Sequence, residues 1–199
     1  MKNIFLFLIL FVSSSHCFSN IRIDEGEWNE KDMIYTNYTY GFYWRLDNEM
    51  SWVSQPLMQK DAIFGAVDME TNTVAYITAS PMETDCSDIW LYESEIRKGQ
   101  KEAYDESNGV NIIEMNKVVF AGKNALKTKL IYNLNNDDRF KDVRTQMIVV
   151  QYTVLLQGYG VTFSIMASQV LEESLNQYGL SIENVLFNGV VLTKPEQLK

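Results

Sequence analysis

Four β-rich runs, joined two by two through very short polar turns, constrain this chain more than any other feature. NIIEMNKVVFAG (111–122) and NALKTKLIYNL (124–134) meet at Gly122 and Lys123, and RTQMIVVQYTVLL (144–156) and VTFSIMA (161–167) flank QGYG at 157–160. Leu126, Thr128, Leu130, Tyr132 and Leu134 alternate against Lys127, Lys129, Ile131 and Asn133, while Val161, Phe163, Ile165 and Ala167 form one apolar row. Alternation sends successive side chains to opposite faces of a strand. The four runs are sequential and closely linked, which favours antiparallel pairing.

The rest of the chain fits around that block. In TNYTYGFYWRL, Tyr38, Tyr40, Phe42, Trp44 and Leu46 alternate with Asn37, Thr39, Gly41 and Arg45, which predicts a strand with one buried face. AIFGAVDMETNTVAYITAS (62–80) reads as a hairpin around Glu70, Thr71, Asn72 and Thr73. After Pro81 the spacing becomes helical over 85–104, with Asp85 or Ser87 as N-cap, Ile89, Tyr92, Ile96 and Ala103 near one face, and Gly99 as a weak point. SQVLEESLNQYG predicts a second helix capped by Ser168, with an apolar stripe of Leu171, Leu175 and Tyr178 and a stop at Gly179. Residues 181–188 repeat the device before Gly189. The pattern is α+β: helices packed on a mostly antiparallel sheet, in one domain over 33–193, with an acidic arm at 20–32 and a tail at 194–199.

Residues 1–19 have the layout of a secretory signal peptide: Lys2, an apolar run from Ile4 to Val12, then serines. The run is shorter than the roughly 20 residues a membrane span requires. Cleavage after Ser19 or after Ser15 suits the small-residue rule, and Cys17 is the residue a lipoprotein pathway would acylate. Cleavage after Ser19 removes His16, the chain's one histidine, and leaves Cys86 as the one cysteine. Such a mature chain has no imidazole for Ser-His-Asp or Cys-His catalysis and no His/Cys set for zinc, and a single cysteine cannot form a disulfide within the chain. The whole chain carries 26 Asp+Glu against 17 Lys+Arg, a formal net charge of −9. That balance disfavours nucleic acid and anionic membrane as partners.

Candidate sites are few. Trp28, Tyr35, Tyr38, Tyr40, Phe42, Tyr43, Trp44 and Trp52 crowd one short stretch. The even-numbered set from Tyr38 to Trp44 reads as core, so Trp28, Tyr35 and Tyr43 are the aromatic residues expected to face a ligand or protein partner. Asp85 with Asp88 and Asp137 with Asp138 lack the ligand spacing of a calcium loop and read as solvated acids, so no metal or other cofactor is expected. A carboxylate pair for general acid–base hydrolysis is defined by separation in space, which sequence does not supply. Asn37-Tyr38-Thr39 is a glycosylation sequon.

The order of elements, together with YGFYWRLDNEMSW at 40–52, resembles the PsbP-like family, which includes the extrinsic protein of photosystem II, exported bacterial relatives and a yeast Ran-binding import factor of the same fold. Gly41-Phe42, the turn from Asp47 to Ser51 and Trp52 carry the likeness; the proline that commonly precedes the tryptophan is absent. The resemblance implies an α/β/α sandwich and no family-wide catalytic motif. The expectation is an exported, non-catalytic accessory or binding protein recognising a protein partner or small ligand. An Asp/Glu-dependent envelope hydrolase and a lipoprotein component of a membrane-associated assembly are the rival readings.

Overall fold

The computed structural model describes residues 26–47, 49–54, 61–82, 88–103, 110–133 and 146–198. The four β-rich runs become β7 (Val110–Phe120), β8 (Lys123–Asn133), β9 (Gln146–Leu156) and β10 (Tyr159–Ser168). β7–β8 and β9–β10 are joined by two-residue loops, Ala121-Gly122 and Gln157-Gly158, and all four of these residues have positive φ. Positive φ at both positions matches the right-handed twist of the flanking strands.

The predicted hairpin forms as β5 (Ala62–Asp68) and β6 (Val74–Pro81), and β4 (Trp52–Ser54) pairs with β5. Pairing of β6 with β10 joins these strands to the block, giving a seven-stranded antiparallel sheet in the order β4-β5-β6-β10-β9-β8-β7. A second antiparallel sheet runs β1-β2-β3-β11, built from β1 (Gly26–Asn29), β2 (Ile34–Asn37), β3 (Phe42–Arg45) and β11 (Val190–Leu192). Among the described residues the strands thus lie in two sheets, and residues 26–29 of the expected arm form a strand of the smaller one.

The alternation from Tyr38 to Leu46 does not mark one strand. The chain reverses at 38–41, where Gly41 takes φ 75° and donates its N–H to the Asn37 carbonyl. Tyr40, Phe42, Trp44 and Leu46 are buried as expected, but Tyr38 is only half-buried and sits in the turn. Reversal also resets the parity. Tyr35 pairs with Trp44 and Asn37 with Phe42, so odd positions of β2 share a face with even positions of β3.

That face packs on the row Val161, Phe163, Ile165 and Ala167 of β10, all fully buried. Phe163 meets Phe42 and Trp44 edge-on at ring separations of 4.9 and 5.8 Å. The C-terminal helices lie on the same side: α2 (Gln169–Gln177), capped by Ser168, and α3 (Ile182–Leu186), capped by Ser181. Leu171 and Leu175 pack on the core, whereas Tyr178 is 81% exposed and lies outside the stripe. Trp44 Nε1 donates to the Leu186 carbonyl at 2.9 Å, tying β3 to α3. Gly189 serves close approach: a Cβ there would lie 1.9 Å from the Arg45 carbonyl oxygen.

The opposite face of the large sheet carries a 3-10 turn (Ile89–Tyr92) and α1 (Glu93–Ala103). Ile89 packs with Leu126 and Leu155, and Trp90 Nε1 donates to the Ala125 carbonyl at 3.0 Å. The N-cap is Asp88, whose carboxylate accepts from the Trp90 N–H; Asp85 and Ser87 lie outside the described residues. That backbone bond, then one from Asn124, holds the Asp88 pKa below the usual carboxylate range. α1 also covers part of the β7 edge. Arg97 donates to the Met115 carbonyl at 2.6 Å, and Glu93 pairs with Lys117 at 2.7 Å and with Arg97 at 2.7 Å, which lowers the Glu93 pKa. With a register shift between Ile112 and Glu114, these contacts blunt an otherwise open edge.

The turn after β3 is held by Asp68, which is fully buried. Its carboxylate accepts from the Ser51 N–H at 2.8 Å, the Thr71 N–H at 2.7 Å and the Thr71 hydroxyl. Trp52 Nε1 donates to the Asp47 carbonyl at 3.0 Å, so the motif tryptophan closes the turn that precedes it.

Asp68→Ala strands these donors and is expected to cost about 3 kcal/mol of unfolding free energy by urea denaturation. Two glycines should diverge in the same assay. Gly99 lies inside α1, where an added Cβ would meet nothing within 4 Å, so Gly99→Ala gains up to about 1 kcal/mol, whereas Gly189→Ala destabilises by driving a methyl into β3.

Candidate functional site

The inner face of the large sheet is apolar at β10 and charged at β8. Ile77, Phe163, Tyr152, Lys127 and Asn116 lie across it in register, and Ala75, Ile165, Val150, Lys129 and Glu114 form the next row. The small sheet covers the apolar end. Helices α2 and α3 reach the charged end, and each brings a glutamate to a lysine.

Lys127 Nζ lies 2.8 Å from Glu183 Oε2 and 3.0 Å from Glu114 Oε1. Tyr152 donates its hydroxyl to the same Glu183 oxygen at 3.1 Å, and Asn116 Nδ2 donates to Glu114 at 2.9 Å. Beside them Lys129 pairs with Glu172 Oε1; Glu172 is 9% exposed and its Oε2 has no donor among the described residues.

Above Tyr152 opens a shallow cleft of about 340 Å³, lined by Phe120, Tyr152, Glu183, Asn184, Phe187 and Asn188. Phe120 stacks on Tyr152 at 4.3 Å with 11° between planes, and Phe187 meets Tyr152 edge-on at 4.9 Å. The two phenylalanines are 7% and 5% exposed, so their faces are spent on each other and on Tyr152. What the cleft presents is its polar rim. Among the described residues, the side-chain amides of Asn184 and Asn188 and the second oxygen of Glu183 bond to no other side chain or backbone group.

The protonation states follow from this geometry. Burial, then the Glu183 carboxylate, pushes the Tyr152 phenol well above its ordinary range. Burial disfavours the Lys127 ammonium, but bonds to Glu183 and Glu114 outweigh it and raise its pKa. For Glu114, burial acts upward and is outweighed by Lys127, so its pKa is lowered. At neutral pH Glu114 is therefore a carboxylate, Lys127 an ammonium and Tyr152 a neutral phenol.

The aromatic candidates do not assemble a site. Tyr35 is 3% exposed, stacks on Phe64 at 4.3 Å and donates to the Ile63 carbonyl at 3.2 Å; it is a core residue, placed there by the reversal at 38–41. Trp28 pairs with Tyr35 on the same inward face and lies 5.3 Å from Phe64, half-buried. Tyr43 alone points outward, between Thr36 and Val191. Asn37 of the sequon is fully buried, donating to the Tyr35 hydroxyl at 3.1 Å and accepting the Tyr40 N–H at 3.0 Å, so in the folded chain it is a turn staple. Tyr38, in the turn, donates to Glu27 of β1 at 3.3 Å. His16, Cys17, Cys86, Asp137 and Asp138 lie outside the described residues.

Sequence reading missed the cleft because its members come from β7, β8, β9 and the C-terminal segment. The signal available was Lys127 and Lys129 in a strand whose other row is apolar, a pattern that usually marks a solvent face.

No protein-family model matches the sequence, and no curated protein matches it significantly. Solved structures do resemble it. The solution structure of cyanobacterial PsbP (CyanoP) from Synechocystis sp. PCC 6803 superposes with a TM-score of 0.51 at 8% identity, covering 90% of this chain and 98% of that one. The Saccharomyces cerevisiae Ran-binding protein Mog1p gives 0.48 at 9% identity, over 85% and 98% of the two chains. LpqN of Mycobacterium tuberculosis, described as involved in cell envelope biogenesis, gives 0.46 at 14% identity over 76% and 83%. Among the described residues no helix is long and apolar enough to cross a membrane. With its antiparallel sheet, its packed helices and its overlap with cyanobacterial PsbP along nearly the whole of both chains, the protein has the PsbP-like fold.

Proposed function

We propose that this chain is an exported, non-catalytic binding or accessory protein that engages a protein partner through the cleft over Tyr152. Export rests on the layout of residues 1–19, and the accessory role draws on analogy with PsbP, since one fold serves many functions. The observation that carries the binding reading is the committed state of the cleft's titratable groups. Glu183 Oε2 already holds Lys127 and Tyr152, and Lys127 is shared with Glu114.

Hydrolysis by two carboxylates needs one of them protonated near neutral pH. Glu114 is shifted the other way, toward ionisation, and the raised Tyr152 phenol stays protonated, a reluctant proton donor that is not available as a base. The open shape of the cleft also gives no enclosed volume in which water could be excluded from a reaction. What remains suited to a partner is a fixed carboxylate flanked by two amides.

Two measurements test this. A photo-crosslinking side chain at Asn188, in the cells that make the protein, should give adducts with an exported protein that are absent when it stands at Lys98, on the exposed side of α1. Adducts equal at both positions, or turnover of an envelope substrate lost in Glu183→Gln, would reject the reading. The ion pairs also fix a pH dependence. Glu114 has a lowered pKa, so its contribution is present above about pH 4.3 and is lost as pH falls through its folded value. Lys127→Met should therefore lower stability by about 1–3 kcal/mol at neutral pH and by clearly less near pH 3, read from urea curves at the two values.

A further inference from the structure

Building on that reading, we infer that the group the cleft receives is a guanidinium: an arginine side chain in a basic segment of the partner. Charge is the first argument. The glutamate side chains at Lys127 are 23% (Glu183) and 32% (Glu114) exposed, whereas the lysine between them is 13% exposed. Solvent therefore faces the carboxylates more than the cation that neutralises them. The local sum is one negative charge, on a chain whose formal net charge is −9. An anionic ligand is repelled from this position, and a cationic one is steered toward it.

Geometry selects among cations. Glu183 Oε2 is fixed by two donors, Lys127 Nζ and the Tyr152 hydroxyl, so the carboxylate is held in place before any ligand arrives. Its other oxygen needs no displacement of Lys127 to accept a bond. Asn184 and Asn188, four residues apart, line the same cleft and carry amide oxygens that can accept further bonds. Several acceptors on one rim match the fork of donors on a planar guanidinium, where an ammonium would act as a point charge. A sugar ring is the poorer fit, because stacking needs an open aromatic face and Phe120 and Phe187 are nearly covered. The cleft of about 340 Å³ is at the small end for a ligand site, of a size for one side chain.

The probes are hexaarginine, hexalysine and hexaglutamate, titrated against the purified full-length protein by isothermal calorimetry, with the side-chain amides of Asn184 and Asn188 followed by NMR. Hexaarginine should bind more tightly than hexalysine, shift both amides, and weaken as salt is raised; hexaglutamate should not bind. Glu183→Gln should weaken hexaarginine about tenfold or more, while Glu102→Gln, an acid removed from the opposite face, leaves it unchanged. If Glu183→Gln proves unstable by circular dichroism, Asn184→Leu with Asn188→Leu supplies the same comparison. Equal loss in Glu183→Gln and Glu102→Gln would assign binding to diffuse acidity and overturn the inference, as would equal affinity for the two basic peptides. Crosslinks from Asn188 combined with no hexaarginine binding would sink the guanidinium assignment alone; absence of the crosslinks would sink the reading beneath it.

Discussion

Phe163 is the point on which the two sheets and the C-terminal segment depend. Its ring lies edge-on to Phe42 and Trp44 of the small sheet and 5.7 Å from Phe120 of β7, and Trp44 and Phe120 both reach Phe187 beyond α3. Each aromatic side chain buries a large apolar area, and tilted or edge-on contacts add to that area term. Four separate parts of the chain thus share one buried cluster. The Trp44 bond to the Leu186 carbonyl adds direction to what burial leaves non-directional, fixing where α3 sits over the sheet.

The location of the cleft is a consequence. The small sheet covers the β10 end of the inner face and stops short of β8, where lysines replace aliphatic side chains. Helices α2 and α3 reach that region with Glu172 and Glu183, so the layer is completed by ion pairs in place of methyl groups. A partly buried ion pair adds little net stability, yet removing one member leaves the other poorly solvated. The stretch from Ser168 to Asn188 is therefore both a structural lid on the sheet and the wall of the site.

Much of the fold was legible from the order of residues. The four-run block, the hairpin at 62–80 and the caps at Ser168 and Ser181 rest on local rules of alternation, turn length and capping, which need no knowledge of distant residues. The errors share a different cause. At 38–41 the chain turns without breaking the even-numbered alternation, so the pattern read as one strand while parity on its upstream side was inverted. That inversion moved Tyr35 from the expected outer face to the core and made Asn37 a buried staple. Strand β1 was hidden because an edge strand of four residues, GEWN, has no period to display.

Period, loop length and charge are properties that add along a chain, and they were enough to set the class of the fold, its antiparallel pairing and the acidity of its surface. Which face of β8 is buried, and against what, emerged with the packing of the layers. Lys127 and Lys129 look solvated in sequence, and they become partly buried ion pairs because helices that follow in the chain fold back across them with glutamates at the matching height. A site of that kind has no linear signature: Glu114, Lys127, Tyr152 and Glu183 acquire a shared chemistry through distances that exist only after the sheet has closed.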